Sequence, residues 1–177
     1  ILLSELYGVT IDRIVKDDDA CNILLCRSAD IDIDQAVSFL VSAKKKTYPI
    51  NENKVQSSRM KSNDFCYAES KYKYYDTYLG GEKFTGEEAV WYDDAPVWCM
   101  NYTGRVIGSN FDSRFLKEAL LQVTEKFPYR GPQMYTKGDY HYHCKVDGEF
   151  VWFQGYEDIF YLDEKIYECY FHGGVIQ

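Results

Sequence analysis

The chain is short of the residues that most site chemistry needs. It has three His among 177 residues, too few for a rich metal or acid–base centre. Its six Cys, at positions 21, 26, 66, 99, 144 and 169, contain no CxxC and no compact framework. That argues against a small zinc module and a disulfide-stapled scaffold. Reduced, buried thiols are expected, and with them a cytoplasmic location. No G-x-S-x-G elbow, Walker loop or dinucleotide fingerprint occurs. No run approaches the ~20 apolar residues of a membrane-spanning helix, so no membrane role is expected. Basic residues are outnumbered, 20 Lys and Arg against 28 Asp and Glu, for a net charge of −8. Such a body is a poor non-specific partner for nucleic acid or anionic lipid, both of which need a Lys/Arg surface. No repeat or low-complexity tract is visible.

Aromatic residues are plentiful. They make up 17% of the chain, with 17 Tyr. That is ample for a core, and the polar ends of buried Tyr and Trp need hydrogen-bond partners.

The chain opens on an apolar pattern at helical spacing: Leu3, Leu6, Tyr7 and Val9, with Gly8 at the end. Thr10 is a good N-cap for a second short helix carrying Ile11, Ile14 and Val15. The stretch "LSELYGVTIDRIVKDDD" resembles the closing segment of Cro/CI-type (XRE) helix-turn-helix domains. The resemblance implies a DNA-binding regulator whose recognition helix lies upstream, with Ile1 an internal residue. DNA would then be contacted only through those upstream helices, because major-groove reading needs them. Residues 1–27 are therefore assigned to the tail of a helix-turn-helix domain plus linker, and 28–177 to a second domain.

From Ile33 the period is helical, with Val37, Leu40 and Val41 on one stripe and Asp32 or Asp34 as cap. Lys44-Lys45-Lys46 fits the helix C-terminus, where cations complement the dipole. Segments such as "FCYAES", "YKYYDTYL", "EEAVWY" and "VWCMNYTG" then alternate as strands. A symmetric turn at Asp93-Asp94-Ala95-Pro96 would set Trp91 opposite Trp98 and Glu88 opposite Asn101. A second helix carries Phe111, Phe115, Ala119, Leu120, Val123 and Phe127, with Asn110 or Asp112 as cap and Pro128 as stop. A turn at Asp147-Gly148 would set His143 opposite Trp152 and His141 opposite Gln154. A last hairpin at Asp163-Glu164 would place Glu157, Ile159, Tyr161, Glu168, Tyr170 and His172 on a mixed face. The expected fold is α+β: a curved antiparallel sheet of about six strands packed against two helices, with a short N-terminal helical segment.

The runs "YLGGEKFTGEEAVW", "PVWCMNYTG", "PYRGP" and "WFQGYE…YECYFHGG" resemble an uncharacterised bacterial domain family, found alone or C-terminal to Cro/CI-type helix-turn-helix domains. The resemblance implies architecture and context, with no catalytic residue attached.

The chemistry is read directly. Gly80 to Gly86 is glycine-rich, as tight backbone turns require, with an anion-binding nest as the alternative. His141-x-His143 places two imidazoles on one strand face, which His172 could join. Zinc would still need Glu157 or Glu168 within reach, so no metal site is assigned. Cys144 alternates away from His143 and belongs to the core. Glu88 and Asn101 beside aromatic residues suit either a ligand pocket or a register-fixing hydrogen bond. Arg130, in the turn Tyr129-Arg130-Gly131-Pro132, either meets an anionic ligand or braces the loop.

The expected function is that of an effector-sensing or oligomerising domain of a bacterial transcriptional regulator, a homodimer that binds a small-molecule effector. The expected ligand-binding residues are Glu88, Trp98, Asn101, Tyr102, Arg130, His141, His143, Trp152, Tyr156, Tyr170 and His172. No cofactor and no catalytic residue are assigned. Two rivals remain: a small hydrolase or metal-dependent enzyme fused to a DNA-binding domain, and an interaction domain without a ligand.

Overall fold

Period-two alternation dominates the structure, a computed structural model that describes residues 31–176. The helix-turn-helix tail assigned to residues 1–27 lies outside the described residues. Helix α1 spans Ile33–Lys45, and a 3₁₀ turn follows at Tyr48–Ile50. Strands β1 to β5 are Lys54–Val55, Asn63–Glu69, Tyr72–Gly80, Lys83–Tyr92 and Ala95–Val106. Helix α2 spans Ser113–Leu120. Strands β6 to β9 are Met134–Lys137, Tyr140–Glu149, Trp152–Tyr161 and Glu164–Val175.

The strands form one antiparallel sheet in the order β1-β2-β3-β4-β5-β9-β8-β7-β6. Two meanders are thus joined through β5 and β9. This corrects the expected α+β fold with about six strands. Among the described residues there are nine strands and two short helices, so the domain is sheet-dominated. The two-residue β1 and four-residue β6 are too short to show a period in the sequence.

Both helices cover one face of the sheet, here called the inner face. Asp32 caps α1 by accepting from Gln35 N at 3.1 Å, and Asp112 caps α2 by accepting from Arg114 N at 2.8 Å. Val37, Leu40 and Ala43 of α1 and Phe115, Leu116 and Ala119 of α2 share a core with Tyr74, Val90, Trp98, Met100, Phe153, Ile159 and Phe171 of the sheet. Burying Leu40 alone contributes roughly 2 kcal/mol. Helix α2 stops at Leu120, seven residues short of the apolar pattern's end at Phe127, and the chain instead makes a bridge between Thr124 and Phe127.

Three hairpin registers differ from the sequence reading. Asp93 and Asp94 both adopt left-handed φ, 54° and 64°, and a bulge between Val90 and Trp91 precedes them. The bulge moves the pairing by one residue. Glu88 faces Met100, Glu87 faces Asn101, and Trp91 faces Pro96. Glu88 and Asn101 therefore point to opposite faces. The β7–β8 turn falls at Phe150-Val151, with Glu149 opposite Trp152. His143 faces Asp158 and His141 faces Phe160. The physical reason is tertiary: Phe150, at the hairpin tip, stacks on Trp98 with ring centroids 5.4 Å apart, and that burial overrides the Asp-Gly turn signal. The last hairpin turns at Leu162-Asp163, with Leu162 at φ 53°. A bulge between Ile159 and Phe160 leaves Glu157 and Ile159 on the core face, not on the mixed one.

Candidate functional site

Five charged side chains are sunk into the inner face. Lys44 lies in the last turn of α1, Asp76 is on β3, Glu88 on β4, Glu157 on β8, and Arg130 precedes β6; all are buried. Strand register brings the carboxylates together: Asp76 pairs with Glu88, and Glu88 with Met100, next to Tyr102 on the same face of β5. The Lys44 ammonium lies 2.7 Å from Glu88 Oε2 and donates to the Tyr129 carbonyl. Arg130 bridges the two glutamates, with Nη1 3.4 Å from Glu88 Oε1 and Nη2 3.0 Å from Glu157 Oε1. Glu157 also accepts from Tyr142 at 2.5 Å and Tyr167 at 2.9 Å. The Arg130 guanidinium stacks over the Tyr102 ring at 4.9 Å. Tyr102 in turn donates to Asp76 Oδ1 at 2.6 Å. Gly86 makes this last contact reachable: a Cβ there would come within 2.5 Å of the Tyr102 ring and hydroxyl.

The two cations are placed on the glutamates. Asp76 has no cationic nitrogen within 4 Å among the described residues, and Tyr102 is its one side-chain donor. Burial, then the Glu88 charge, pushes its carboxyl up to about 7. Burial pulls the Lys44 ammonium down, against the attraction of Glu88. Burying ions seldom stabilises a fold relative to apolar packing, so their cost points to a role beyond stability.

A cleft of about 460 Å³ opens onto this cluster. Asp76, Tyr102 and Arg130 border it, and Tyr48, Tyr78, Phe84, Phe111 and Tyr167 supply ring surface. Gly80, Gly81 and Glu82 form part of its rim. The glycine-rich run therefore has a place in the cleft as well as in a turn, where Gly80 holds φ +95°. A mostly apolar concavity of this size with a few convergent polar groups is the usual form of a small-molecule site.

Residues 76–176 match the family described as Domain of unknown function (DUF5680). The chain belongs to the DUF5680 family. The DUF5680 match begins at Asp76 itself and takes in Glu88, Tyr102, Arg130 and Glu157, whereas Lys44 and Tyr48 precede it. No curated protein and no solved structure matches the chain.

The residues singled out in sequence do not form one site. Glu88, Tyr102 and Arg130 meet in the ionic cluster. Trp98 is wholly buried in the core beside Phe150 and Phe153. Asn101, Tyr156, Tyr170 and His172 lie together on the opposite, outer face, in an open groove of about 640 Å³. His141 contacts Thr136 at 3.3 Å and His143 contacts Asp158 at 3.0 Å. Trp152, 80% exposed, stands apart at the start of β8. Among the described residues no group of three or more His, Cys, Asp or Glu is placed to hold a metal. No helix there is long and apolar enough to cross a membrane.

Lys44, Asp76, Tyr142 and Tyr167 were not anticipated as site residues, and Glu157 was weighed only as a zinc ligand. For Asp76 a signal existed. Tyr74, Asp76 and Tyr78 alternate onto one face, so a lone carboxylate interrupts an aromatic row.

Proposed function

We propose that this domain binds a small molecule in the inner cleft and acts as the effector-sensing module of a bacterial, cytoplasmic transcriptional regulator. The observation that carries the binding half is the 460 Å³ aromatic cleft ending on an incompletely paired carboxylate, Asp76. Such a site gives a ligand apolar surface for affinity and a carboxyl group for orientation. The regulatory half rests on the resemblance of residues 2–19 to Cro/CI-type domains. In that reading the protein is a homodimer, and DNA contact belongs to a helix-turn-helix outside the described residues. The acidic composition suits a module that does not itself hold DNA.

The test is a thermal-shift screen of a metabolite panel on the chain and on Ser113→Trp. Ser113 is exposed at the cleft wall, so an indole placed there is designed to occupy the cleft without replacing a core side chain. Compounds that raise Tm in the unmodified chain and not in Ser113→Trp support the reading. Its failure is a panel with no shift, or shifts that persist in the plugged variant. Native mass spectrometry of the same sample checks the dimer.

A further inference from the structure

We propose that the ligand of the inner cleft is an organic cation, a protonated amine or quaternary ammonium on an apolar body, whose charge seats against Asp76. The inference rests on the cleft being a ligand site and names the chemistry that site takes.

Charge balance comes first. The inner-face cluster holds three carboxylates, Asp76, Glu88 and Glu157, against two cations, Lys44 and Arg130. Both cations are engaged with the glutamates at 2.7 to 3.4 Å. The uncompensated charge is therefore Asp76, the carboxylate of the three that borders the cleft. A positive group arriving there completes the set.

The walls agree with that sign. Phe111 and Phe84 both stack on Tyr167, at 5.4 Å and 6.1 Å, and Tyr48 meets Tyr78 edge-on at 5.8 Å. These rings present π faces and edges around the space in front of Asp76, and π faces attract cations. Glu82 adds a carboxylate at the rim. Arg130 is the one feature of opposite sign. Its Nε and Nη2 are given to Glu157, its Nη1 to Glu88, and its face to Tyr102. An anion would find that guanidinium already occupied and would lie against Asp76, with Glu82 at the rim.

The groups around Asp76 from each neighbouring element are Lys44 of α1, Tyr48 of the 3₁₀ turn, Glu88 of β4, Tyr102 of β5 and Arg130. Their combined effect leaves the carboxyl titrating at about 7, after burial and Glu88 as the leading causes. Cation binding needs the ionised form. It must therefore strengthen as pH rises through 7 and release a proton when it occurs below that point.

Three probes with one indole body and different charge separate the cases: tryptamine, tryptophol and indole-3-acetate, titrated calorimetrically into the 177-residue chain. At pH 7.5 tryptamine is expected to bind at least tenfold more tightly than either analogue. At pH 6 its affinity falls by about tenfold, with proton release seen as a dependence of heat on buffer ionisation. In Asp76→Asn, checked for folding by circular dichroism, the preference and the pH dependence disappear together. The pH series on the unmodified chain makes the same test without a variant. Binding of tryptophol or indole-3-acetate as tightly as tryptamine overturns the cation inference and leaves the cleft reading standing. A tryptamine preference that survives in Asp76→Asn, or that ignores pH, also overturns it. If none of the three binds at millimolar concentration, the cation inference fails, and the cleft reading is decided by the metabolite panel.

Discussion

Two buried aspartates on adjacent strands show how differently the two faces of this sheet treat charge. Asp64 on β2 lies on the outer face and Asp76 on β3 lies on the inner one. Asp64 accepts from the Ser58 amide at 2.6 Å, the Tyr75 hydroxyl at 2.8 Å and the Thr77 hydroxyl at 2.8 Å. Burial works against its charge, yet bonds from Ser58, Ser62 and Thr77 outweigh that and hold its carboxyl far below the usual range. Asp76 receives one hydrogen bond and a like-charged neighbour, and its carboxyl moves the other way. The outer aspartate is fully satisfied and pins a loop. The inner one is left wanting a partner beside a cleft. A charge that the fold has satisfied reads as structural, and one that it has not reads as a site.

The inner cluster should be the most fragile part of the molecule. Arg130→Ala leaves Glu157 buried with no cation and Glu88 with Lys44 alone. The expected loss is about 3–5 kcal/mol in chemical denaturation, typical of breaking a buried pair by removing one partner. Asp64→Ala should cost less, about 2 kcal/mol, because donors released at the outer loop can find water.

The pH dependence of the two aspartates sharpens the contrast. Asp64 has a lowered folded pKa, so its contribution is present above the unfolded value near 4 and is lost as pH falls below it. Asp76 has a raised one, so its contribution is present below about 4 and is lost as pH climbs to 7. Asp76→Asn should therefore gain on the unmodified chain by about 1.4 kcal/mol for each pH unit between 4 and 7. Denaturation curves from pH 3 to 8 on the two single variants read both slopes. Equal slopes, or slopes of the same sign, would remove the distinction between the faces.

Gly86→Ala tests the join between backbone and site. The new Cβ meets the Tyr102 ring at 2.5 Å and the Thr77 carbonyl at 2.6 Å. A cost of about 1–3 kcal/mol is expected from overpacking. Displacing the Tyr102 hydroxyl from Asp76 should also raise the Asp76 pKa further, visible in the carboxyl resonance by NMR titration.

How much of this was legible beforehand follows from how each element is specified. The core stripe of α1 was readable, and each cap was narrowed to two residues, Asp32 or Asp34 and Asn110 or Asp112, because helical period and capping are local; the structure uses Asp32 and Asp112. Most long strands were readable from alternation. The Glu88–Asn101 pair was not, because one bulge at Val90/Trp91 exchanges the face that each partner occupies. The fold class failed for a related reason: short edge strands leave no period, and one of the expected helices ends early. The site needed more than alternation. Lys44 reads as a helix-end cation, and only the sheet beneath it makes it a buried partner of Glu88. Glu157 was assigned to the wrong face because the bulge between Ile159 and Phe160 exchanges which residues of β8 and β9 share a face. Partners separated by 42 and 85 residues, as Arg130 is from Glu88 and Lys44 from Tyr129, are products of topology.

The smallest effect is expected at the outer counterpart of Arg130. Arg105 on β5 also holds a glutamate, with Nη2 2.7 Å and Nε 2.8 Å from Glu168 Oε1. These contacts are as short as any made by Arg130. Contact length alone would give the two arginines equal weight, but their surroundings differ. The Arg105 side chain is 58% exposed, so little desolvation was spent on it and water recovers much of what its removal loses. Glu168 also keeps Lys165, 2.9 Å away, as a second cation. Arg105→Ala should therefore cost no more than about 1 kcal/mol, and that cost should shrink further in 0.5 M salt. Arg130→Ala should be nearly blind to salt, since its partners are screened by protein and not by ions. If Arg105→Ala proves as damaging as Arg130→Ala, the inner cluster is not special, and the case for Asp76 as a site weakens with it.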